Sequence, residues 1–409
     1  MRSIARYVVD THLHITTLYQ PATEEGWEQV EREEWTGLNN EVAPFDNCFL
    51  TMYDMDRYGV DMGILLPSIV GTTNETHARL VKRFPDRFRA CCCDQKTLLR
   101  AKRGEAPWSF KTALEEIEDA LRTGWFVGIG EFAPGAYARV LKLPGAEDEV
   151  SLDQRVDEWA AICELGVKYD VPVLCHDFFL FAREGRWTTT EMLERVATEN
   201  PQARIMVCHG HVDEEPQRGQ DAIREMYTVM AFLPNIYMET GGWCERQFEI
   251  AFECGITANR LTWGHDYGNV PQHVVRKGVE KWGPKPVEFE YRNHISTMLY
   301  GYEDWPAVPT YQPDFYGWSM RTVDRVGDWL TQDEINLIMG GTAAKLYKLP
   351  VPYSRMFPEG RPDIFGDQWR ESVPFIPREQ IQHPDPEGTR MCCAPRKGLL
   401  SARAGSAGK

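Results

Sequence analysis

Short apolar segments, each ending in polar or glycine residues, recur along the first two thirds of the chain. Continuous apolar segments without alternation are typical of strands that are buried on both faces, as in a parallel sheet. The pattern predicts eight strands in chain order: 7–10, 62–66, 88–92, 127–131, 171–176, 205–209, 236–239 and 261–264.

Helical periodicity fills several of the segments between these strands. One predicted helix buries Leu114, Ile117 and Leu121; a second buries Leu152, Val156, Trp159, Cys163 and Val167 after an N-cap at Ser151. Further helices are predicted over 213–230 and 243–254. From the fourth strand onward the repeat of about 25 to 40 residues fits βαβ units.

Eight such units predict an α/β fold, a (β/α)8 barrel of the TIM type, over residues 1–349. An open doubly wound sheet is the alternative, but no glycine-rich dinucleotide loop follows the first strand. Insertions are predicted after strands 1 and 8, at about 15–46 and 280–318. The second is rich in aromatic residues and suits a lid, a subunit contact or added packing. An irregular C-terminal extension fills 350–409, and its last residues, about 20, are predicted to be disordered.

The composition narrows the choice of partners. A net charge of −16 argues against nucleic acid and against an anionic membrane surface, but not against a small-molecule substrate. The eleven cysteines have no framework spacing, which fits a reducing cytoplasm. No apolar segment is long enough for a transmembrane helix, and the N-terminus lacks a signal core, so a cytoplasmic location is predicted.

Ionisable residues recur where the predicted strands end. His12 and His14 follow strand 1, and residues i and i+2 of a strand face the same way, so both imidazoles can point at one metal ion. His176 follows strand 5, His209 follows strand 6, and Asp266 follows strand 8. A single histidine on a strand is more often structural, but barrel active sites lie at the carboxyl ends of the strands. The regular array therefore favours a metal-dependent enzyme.

Seven short motifs stand out along the chain: Asp-Thr-His-Leu-His at 10–14, Phe-Pro-Asp-Arg-Phe at 84–88, Gly-Ile-Gly-Glu at 128–131, Val-Pro-Val-Leu-Cys-His at 171–176, Cys-His-Gly at 208–210, Gly-His-Asp-Tyr at 264–267 and Gly-Thr-Ala-Ala-Lys-Leu-Tyr at 341–347. Together they resemble the amidohydrolase-related family, which includes the aminocarboxymuconate semialdehyde, resorcylate and carboxyvanillate decarboxylases. The resemblance spans roughly residues 7–349.

The resemblance implies one divalent metal ion, zinc first, with manganese or iron as alternatives. It implies the ligands His12, His14, His176 and Asp266, with His209 as the catalytic acid or base and Asp266 as a second catalytic group. His211 and His265 stand where the family usually has small residues, and Thr342 replaces a common asparagine. Candidate substrate contacts are His211, His265, Glu131 and Arg89; Arg87 is better explained as structural. Strand 4 ends in Glu131 rather than lysine, which favours one metal ion over two.

Within that family the chemistry divides. We expect non-oxidative decarboxylation, a carbon–carbon lyase reaction, of an aromatic or unsaturated carboxylic acid. Hydrolysis of an amide, ester, lactone or carbon–carbon bond by a metal-bound hydroxide is the alternative. If the chain were a non-catalytic metal-binding protein, we would expect some of the metal ligands to be missing. By position, the set of ligands is complete. Dimers are common among the decarboxylases that the chain resembles, so a homodimer is a further expectation.

Overall fold

The computed structural model describes residues 7–14, 16–17, 45–46, 51–52, 55–56, 58–67, 73–131, 134–147, 150–176, 189–211, 219–241, 243, 245–264, 319–320, 322–323, 326–327 and 329–350. Most of the first predicted insertion, the whole of the second and residues 351–409 lie outside this range. Of the first insertion, the short strands Thr16–Thr17 and Phe45–Asp46 are described, and they pair antiparallel.

Eight parallel strands follow one another around a single sheet in chain order. They are β1 (Val9–Leu13), β2 (Met62–Leu65), β3 (Phe88–Cys92), β4 (Phe126–Ile129), β5 (Val173–Cys175), β6 (Ile205–Val207), β7 (Ile236–Glu239) and β8 (Leu261–Thr262). The backbone N–H of Thr11 donates to the carbonyl of Trp263 at 3.0 Å, so the end of β8 lies beside β1. This seam nearly closes the sheet, and the predicted (β/α)8 barrel is confirmed.

Of ten described α-helices, the first eight lie between the strands as βαβ units require, and the last two follow β8. They are α1 (Asn74–Arg83), α2 (Gln95–Lys102), α3 (Phe110–Arg122), α4 (Ala136–Val140), α5 (Leu152–Tyr169), α6 (Thr189–Glu199), α7 (Gly219–Phe232), α8 (Glu245–Glu253), α9 (Gln332–Asn336) and α10 (Thr342–Leu346). The Ser151 hydroxyl accepts from Gln154 N at 3.1 Å, so the predicted N-cap of α5 is confirmed. The helix predicted over 213–230 begins, within the described residues, at Gly219. Val167 is 40 % exposed near the end of α5, so its predicted place on the buried face is wrong.

Apolar side chains from opposite strands fill the inside of the barrel. They include Val9, Ile64, Cys91, Leu174 and Met206, and Ala343 and Leu346 of α10 pack against them. A second, larger apolar layer separates the strands from the surrounding helices. Cys91 lies in the inner cluster and Cys92 in the outer layer, because consecutive strand residues point to opposite faces. The carboxyl ends of the strands are the edge where the predicted histidines lie.

The segment before α10 approaches the start of β1 without room for a side chain. A Cβ built on Gly340 would overlap the carbonyl oxygen of Tyr7. Glycine at this position therefore lets the closing segment rest directly on the first strand. Within the described residues, no helix has the length and apolarity needed to cross a membrane.

Candidate metal centre

An irregularity in β1 turns both of its histidines toward the inside of the barrel. Strict alternation would place Val9 and Leu13 on one face. Instead, Val9 packs in the inner cluster and Leu13 in the outer layer, and the pairing of β1 with β2 shifts register between Asp10 and Leu13. The side chains of His12 and His14 consequently meet, with their Nε2 atoms 3.2 Å apart.

The outward nitrogens of these two imidazoles are held by fixed acceptors. His12 Nδ1 lies 2.9 Å from Glu239 Oε2, and His14 Nδ1 lies 2.8 Å from the carbonyl oxygen of Leu66. A carbonyl oxygen and a carboxylate accept hydrogen bonds, so both Nδ1 atoms carry the proton in the neutral rings. The Nε2 atoms then present lone pairs toward each other, as in histidines that ligate metals.

Glu131, directly after β4, lies at the centre of the histidines. One of its oxygens is 3.5 Å from His12 Nε2 and 3.4 Å from His176 Nε2, and the other is 3.3 Å from His14 Nε2. The residue is buried, with 2 % of its surface exposed. Burial raises the pKa of Glu131, but positive charge on the imidazoles of His14, His176 and His12 in their protonated form lowers it by more, to about 2. Beside protonated imidazoles, or beside a cation that they bind, the carboxylate is an anion.

His176 and His209 follow β5 and β6 and complete a ring of four imidazoles. The ring centroid of His209 is 4.7 Å from that of His12 and 4.7 Å from that of His176. The backbone of His209 is left-handed, with φ of 54°, a conformation that costs a non-glycine residue about 1–3 kcal/mol. Its N–H donates to Glu239 Oε2 at 3.1 Å and its Nδ1 lies 3.2 Å from the carbonyl oxygen of Gly241. These contacts hold the turn that aims the ring at the site.

Glu239, at the end of β7, is a site residue that the sequence reasoning missed. A single carboxylate oxygen accepts from both His12 and the backbone of His209, so it fixes the two rings relative to each other. A side chain on Gly264 would overlap Glu239 Oε1 and crowd His12 Cβ. The absence of a side chain at residue 264 therefore leaves room for the Glu239 carboxylate. The signal was available in the sequence, because Glu239 ends a predicted strand just as His176 and His209 do.

A second buried histidine, His77 on α1, is also absent from the predicted set. Burial, together with the neighbouring His14, lowers the pKa of His77 to about 3, so the ring is neutral. His77 lies within a helix rather than at a strand end, and no pattern in the sequence pointed to it. Among the described residues Glu131 pairs with His12, His14 and His176 and not with His77, so we do not count His77 in the centre.

The donor set fits a divalent cation. Ligand atoms from His12, Glu131 and His209 lie within 4.8 Å of one another and are buried. Within the described residues, Glu131 Oε2 has no hydrogen-bond partner although it is buried. Imidazole lone pairs and an anionic carboxylate facing one another in a buried space repel, and a cation among them removes that repulsion. Such an ion would supply a Lewis acid that polarises a substrate oxygen and lowers the pKa of water.

The remaining predicted site residues are Asp266, His265, His211 and Arg89. Asp266 and His265 lie outside the described residues, and of His211 only the backbone, in the turn Cys208–His211, is described. Arg89 is the one of these candidate substrate contacts whose side chain is described. It sits near the amino end of β3, away from the histidines, and its guanidinium donates to the carbonyls of Pro85 and Phe88. Arg87 pairs with Asp56, consistent with the structural role expected for it.

Comparison with solved structures finds matches of low sequence identity. One is an amidohydrolase from Burkholderia multivorans with bound zinc, at 14 % identity and a TM-score of 0.49, with 84 % of this chain and 100 % of that chain covered. Another is a 2,6-dihydroxybenzoate decarboxylase from Rhizobium, at 14 % identity and a TM-score of 0.48, covering 84 % and 99 %. A third is a dihydroxybenzoic acid decarboxylase from a Polaromonas species with bound manganese and 2-nitroresorcinol, at 15 % identity and a TM-score of 0.46, covering 86 % and 100 %. No curated protein matches the chain.

The sequence profile of one protein family matches most of the chain. The match runs over residues 9–349, from the first barrel strand to the end of the closing helix, and the family is described as amidohydrolase. The same span holds the eight parallel strands and the four imidazoles described above. The chain therefore belongs to the Amidohydro_2 family and is an enzyme of the amidohydrolase superfamily.

Proposed function

We propose that this enzyme is a metal-dependent carboxy-lyase that removes carbon dioxide from an aromatic or unsaturated carboxylic acid without oxidation. The observation that carries the proposal is the convergence of His12, His14 and His176 on one buried point at the mouth of the barrel, with His209 beside it. Three of these imidazoles suit a divalent ion, and the fourth suits proton transfer. The ligands that we assign are His12, His14, His176 and Asp266.

In this proposal, His209 handles the proton. Its Nδ1 faces the carbonyl oxygen of Gly241, which selects the tautomer with the proton on Nδ1 and makes Nε2 the basic nitrogen. A protonated Nε2 can deliver a proton to the carbon that loses carbon dioxide, and the carbon–carbon electron pair then becomes the new C–H bond. Glu239 holds the backbone of His209 and the ring of His12, so it orients the acid and a ligand together.

Hydrolysis is the second candidate. The same basic Nε2 of His209 can take a proton from water, and the divalent ion would lower the pKa of that water to about 7. Membership of an amidohydrolase family is compatible with both reactions. The motif resemblance from the sequence favours decarboxylation, because the motifs at 10–14 and 264–267 resemble those of decarboxylases in the family.

Zinc is the metal ion that we propose first. Imidazole nitrogen with one or two carboxylates is a common ligand set for Zn²⁺, and manganese or iron are compatible with the same donors. A cytoplasmic location and a homodimer stay predictions from the sequence.

The test combines elemental analysis with a carbon dioxide release assay. The purified protein is assayed over a panel of hydroxybenzoic and unsaturated dicarboxylic acids, with an amide, ester and lactone panel run in parallel. We expect about one metal ion per chain and release of carbon dioxide from at least one acid, abolished by a chelator and restored by the ion. One ion per chain with turnover only in the hydrolysis panel would reject the lyase, and no ion after reconstitution would reject both reactions.

A further inference from the structure

Residues between the end of β7 and the first turn of α8 fix the backbone of His209 through both its N–H and its carbonyl oxygen. The N–H donates to Glu239, and the ring Nδ1 faces the carbonyl oxygen of Gly241. The carbonyl oxygen of His209 accepts from the indole Nε1–H of Trp243 at 2.9 Å and from the side-chain amide of Gln247 at 3.4 Å. The shorter of these two bonds makes Trp243 the main donor to the carbonyl.

The indole of Trp243 is packed so tightly that it has little freedom to turn away from this carbonyl. Trp243 is buried, stacks on Tyr227 of α7 with ring centroids 5.7 Å apart, and meets Phe248 of α8 edge to face at 5.0 Å. A Cβ built on Gly210 would lie 2.5 Å from Cζ2 of the indole. The ring therefore rests directly on the residue that follows His209.

The turn at His209 needs such support. His209 and Gly210 both have a φ of 54°. Left-handed backbone is unfavourable for a residue with a Cβ, and it persists where the surrounding structure fixes it. Relaxation to right-handed backbone would rotate φ by about 115° and turn the imidazole away from His12 and His176. A buried carbonyl oxygen that loses its donor is also unfavourable, so the Trp243 bond stabilises the turn.

We propose that Trp243 is a positioning residue for His209: its indole N–H fixes the carbonyl of the left-handed turn and so keeps the imidazole aimed at the metal centre. The inference rests on the proton-transfer role of His209 in the proposed function and adds to it the residue that orients this group. Trp243 acts through the backbone of His209, so its replacement should leave metal binding intact.

Hydrogen exchange measured by mass spectrometry on the full-length protein tests this role without a substrate. The variant is Trp243→Phe, which keeps an aromatic ring beside Tyr227 and removes the indole N–H. We expect the amide of His209 to exchange about tenfold faster than in wild type, the factor that corresponds to the loss of one neutral hydrogen bond. The amides of α1, which follows β2, should exchange as in wild type.

Trp159→Phe is the matched control. Trp159 of α5 is as buried as Trp243, and its indole N–H has no hydrogen-bond partner among the described residues. This substitution removes the same atoms from the protein interior without removing a hydrogen bond, so exchange at His209 should not change.

Gln247→Leu is a second variant directed at the same carbonyl. We expect it to accelerate exchange at His209 by less than Trp243→Phe does, because the bond from Gln247 is 3.4 Å long and the bond from Trp243 is 2.9 Å long. If Trp243→Phe does not fold, this variant decides, and exchange at His209 that equals wild type would contradict the proposal.

Steady-state kinetics with an acid that releases carbon dioxide give the functional readout. We expect Trp243→Phe to lower kcat by about 3–10-fold at unchanged KM and metal content, because only molecules with the His209 ring aimed at the centre can transfer the proton. Trp159→Phe should keep the kcat of wild type.

The outcomes separate the inference from the proposed function. If folded Trp243→Phe exchanges at His209 no faster than Trp159→Phe, the indole N–H does not fix the turn and the inference is wrong. If His209→Asn lowers kcat and Trp243→Phe does not, Trp243 is not a positioning residue for the reaction. If neither variant lowers kcat, the proton-transfer role of His209 in the proposed function is wrong, and the positioning role of Trp243 is wrong with it.

Discussion

The two nitrogens of each β1 imidazole have different surroundings. The outward Nδ1 atoms of His12 and His14 meet a carboxylate and a carbonyl oxygen, while the inward Nε2 atoms face each other and Glu131. This arrangement selects one tautomer for both rings before any ion binds. A site that is oriented in advance loses little conformational entropy on binding a metal ion.

Replacing either of these histidines should remove metal and activity together. We expect His12→Ala and His14→Ala to lower both the metal content and the turnover, because each removes an inward lone pair from the centre. Elemental analysis and a steady-state assay on the same preparations measure the two effects. His77→Asn is the control, since His77 is buried near His14 but forms no ion pair with Glu131 among the described residues, and this variant should keep its metal. Retention of metal by the His12, His14 double variant would refute the site.

His209 should behave differently from the ligands. We expect His209→Asn to keep the metal ion but to lower kcat by about 10²–10⁴-fold, the usual range for losing a general acid or base. Asparagine retains a side-chain amide that can reach the carbonyl of Gly241, so the turn at the end of β6 should persist. A kcat within a few-fold of wild type at full metal occupancy would show that another group transfers the proton.

At the level of single residues, the sequence predicted which histidines lie together, but it did not predict which face they share or which groups orient them. The rule that residues i and i+2 share a face correctly paired His12 with His14. Which face they share depends on the register shift between Asp10 and Leu13, and that shift arises from pairing with β2, a contact distant in sequence. The hydrogen bonds that Glu239 accepts from the ring of His12 and from the backbone of His209 are likewise tertiary contacts between separate strands.

Of the described glycines, Gly340 leaves the least room for a side chain, because the segment before α10 packs against the backbone of Tyr7 just before β1. We expect Gly340→Ala to destabilise the protein by about 1–3 kcal/mol, because its methyl group must displace the backbone of Tyr7. Chemical denaturation monitored by circular dichroism gives the free energy of unfolding. The neighbouring Gly341→Ala is the control, since its nearest contact would be the Asn336 carbonyl oxygen at 3.3 Å, and its cost should be smaller. Equal costs for both would mean that crowding against Tyr7 is not what requires the glycine.

The strands were more predictable from the sequence than the ends of the helices. All eight apolar segments became strands, because burial on both faces demands continuous apolar residues whatever the surrounding loops do. Helix periodicity identified α3 and α5 but misplaced Val167, which is exposed near the C-terminal end of α5. Its exposure depends on where neighbouring elements stop covering α5, which periodicity within one helix does not report.

For the molecule as a whole, metal binding and folding should be linked. An ion that binds the folded barrel and not the unfolded chain stabilises the fold, by about 2.7 kcal/mol when its free concentration is 100 times the Kd. We expect a chelator to lower the Tm of wild type and to leave that of the His12→Ala, His14→Ala double variant unchanged. Thermal unfolding followed by circular dichroism measures both. An equal decrease in the two proteins would mean that the chelator acts elsewhere.

The seam between Thr11 and Trp263 joins the two ends of the barrel. These residues are 252 positions apart, so at about 5–20 residues per second the first strand waits about 10–50 seconds for its last neighbour during synthesis. His12 and His14 are made before Glu239, which orients His12, and before Gly264, which leaves room for the Glu239 carboxylate. The nascent chain thus carries the proposed ligands of β1 for this time without the contacts that orient them, so loading of the proposed centre would follow the synthesis of β8.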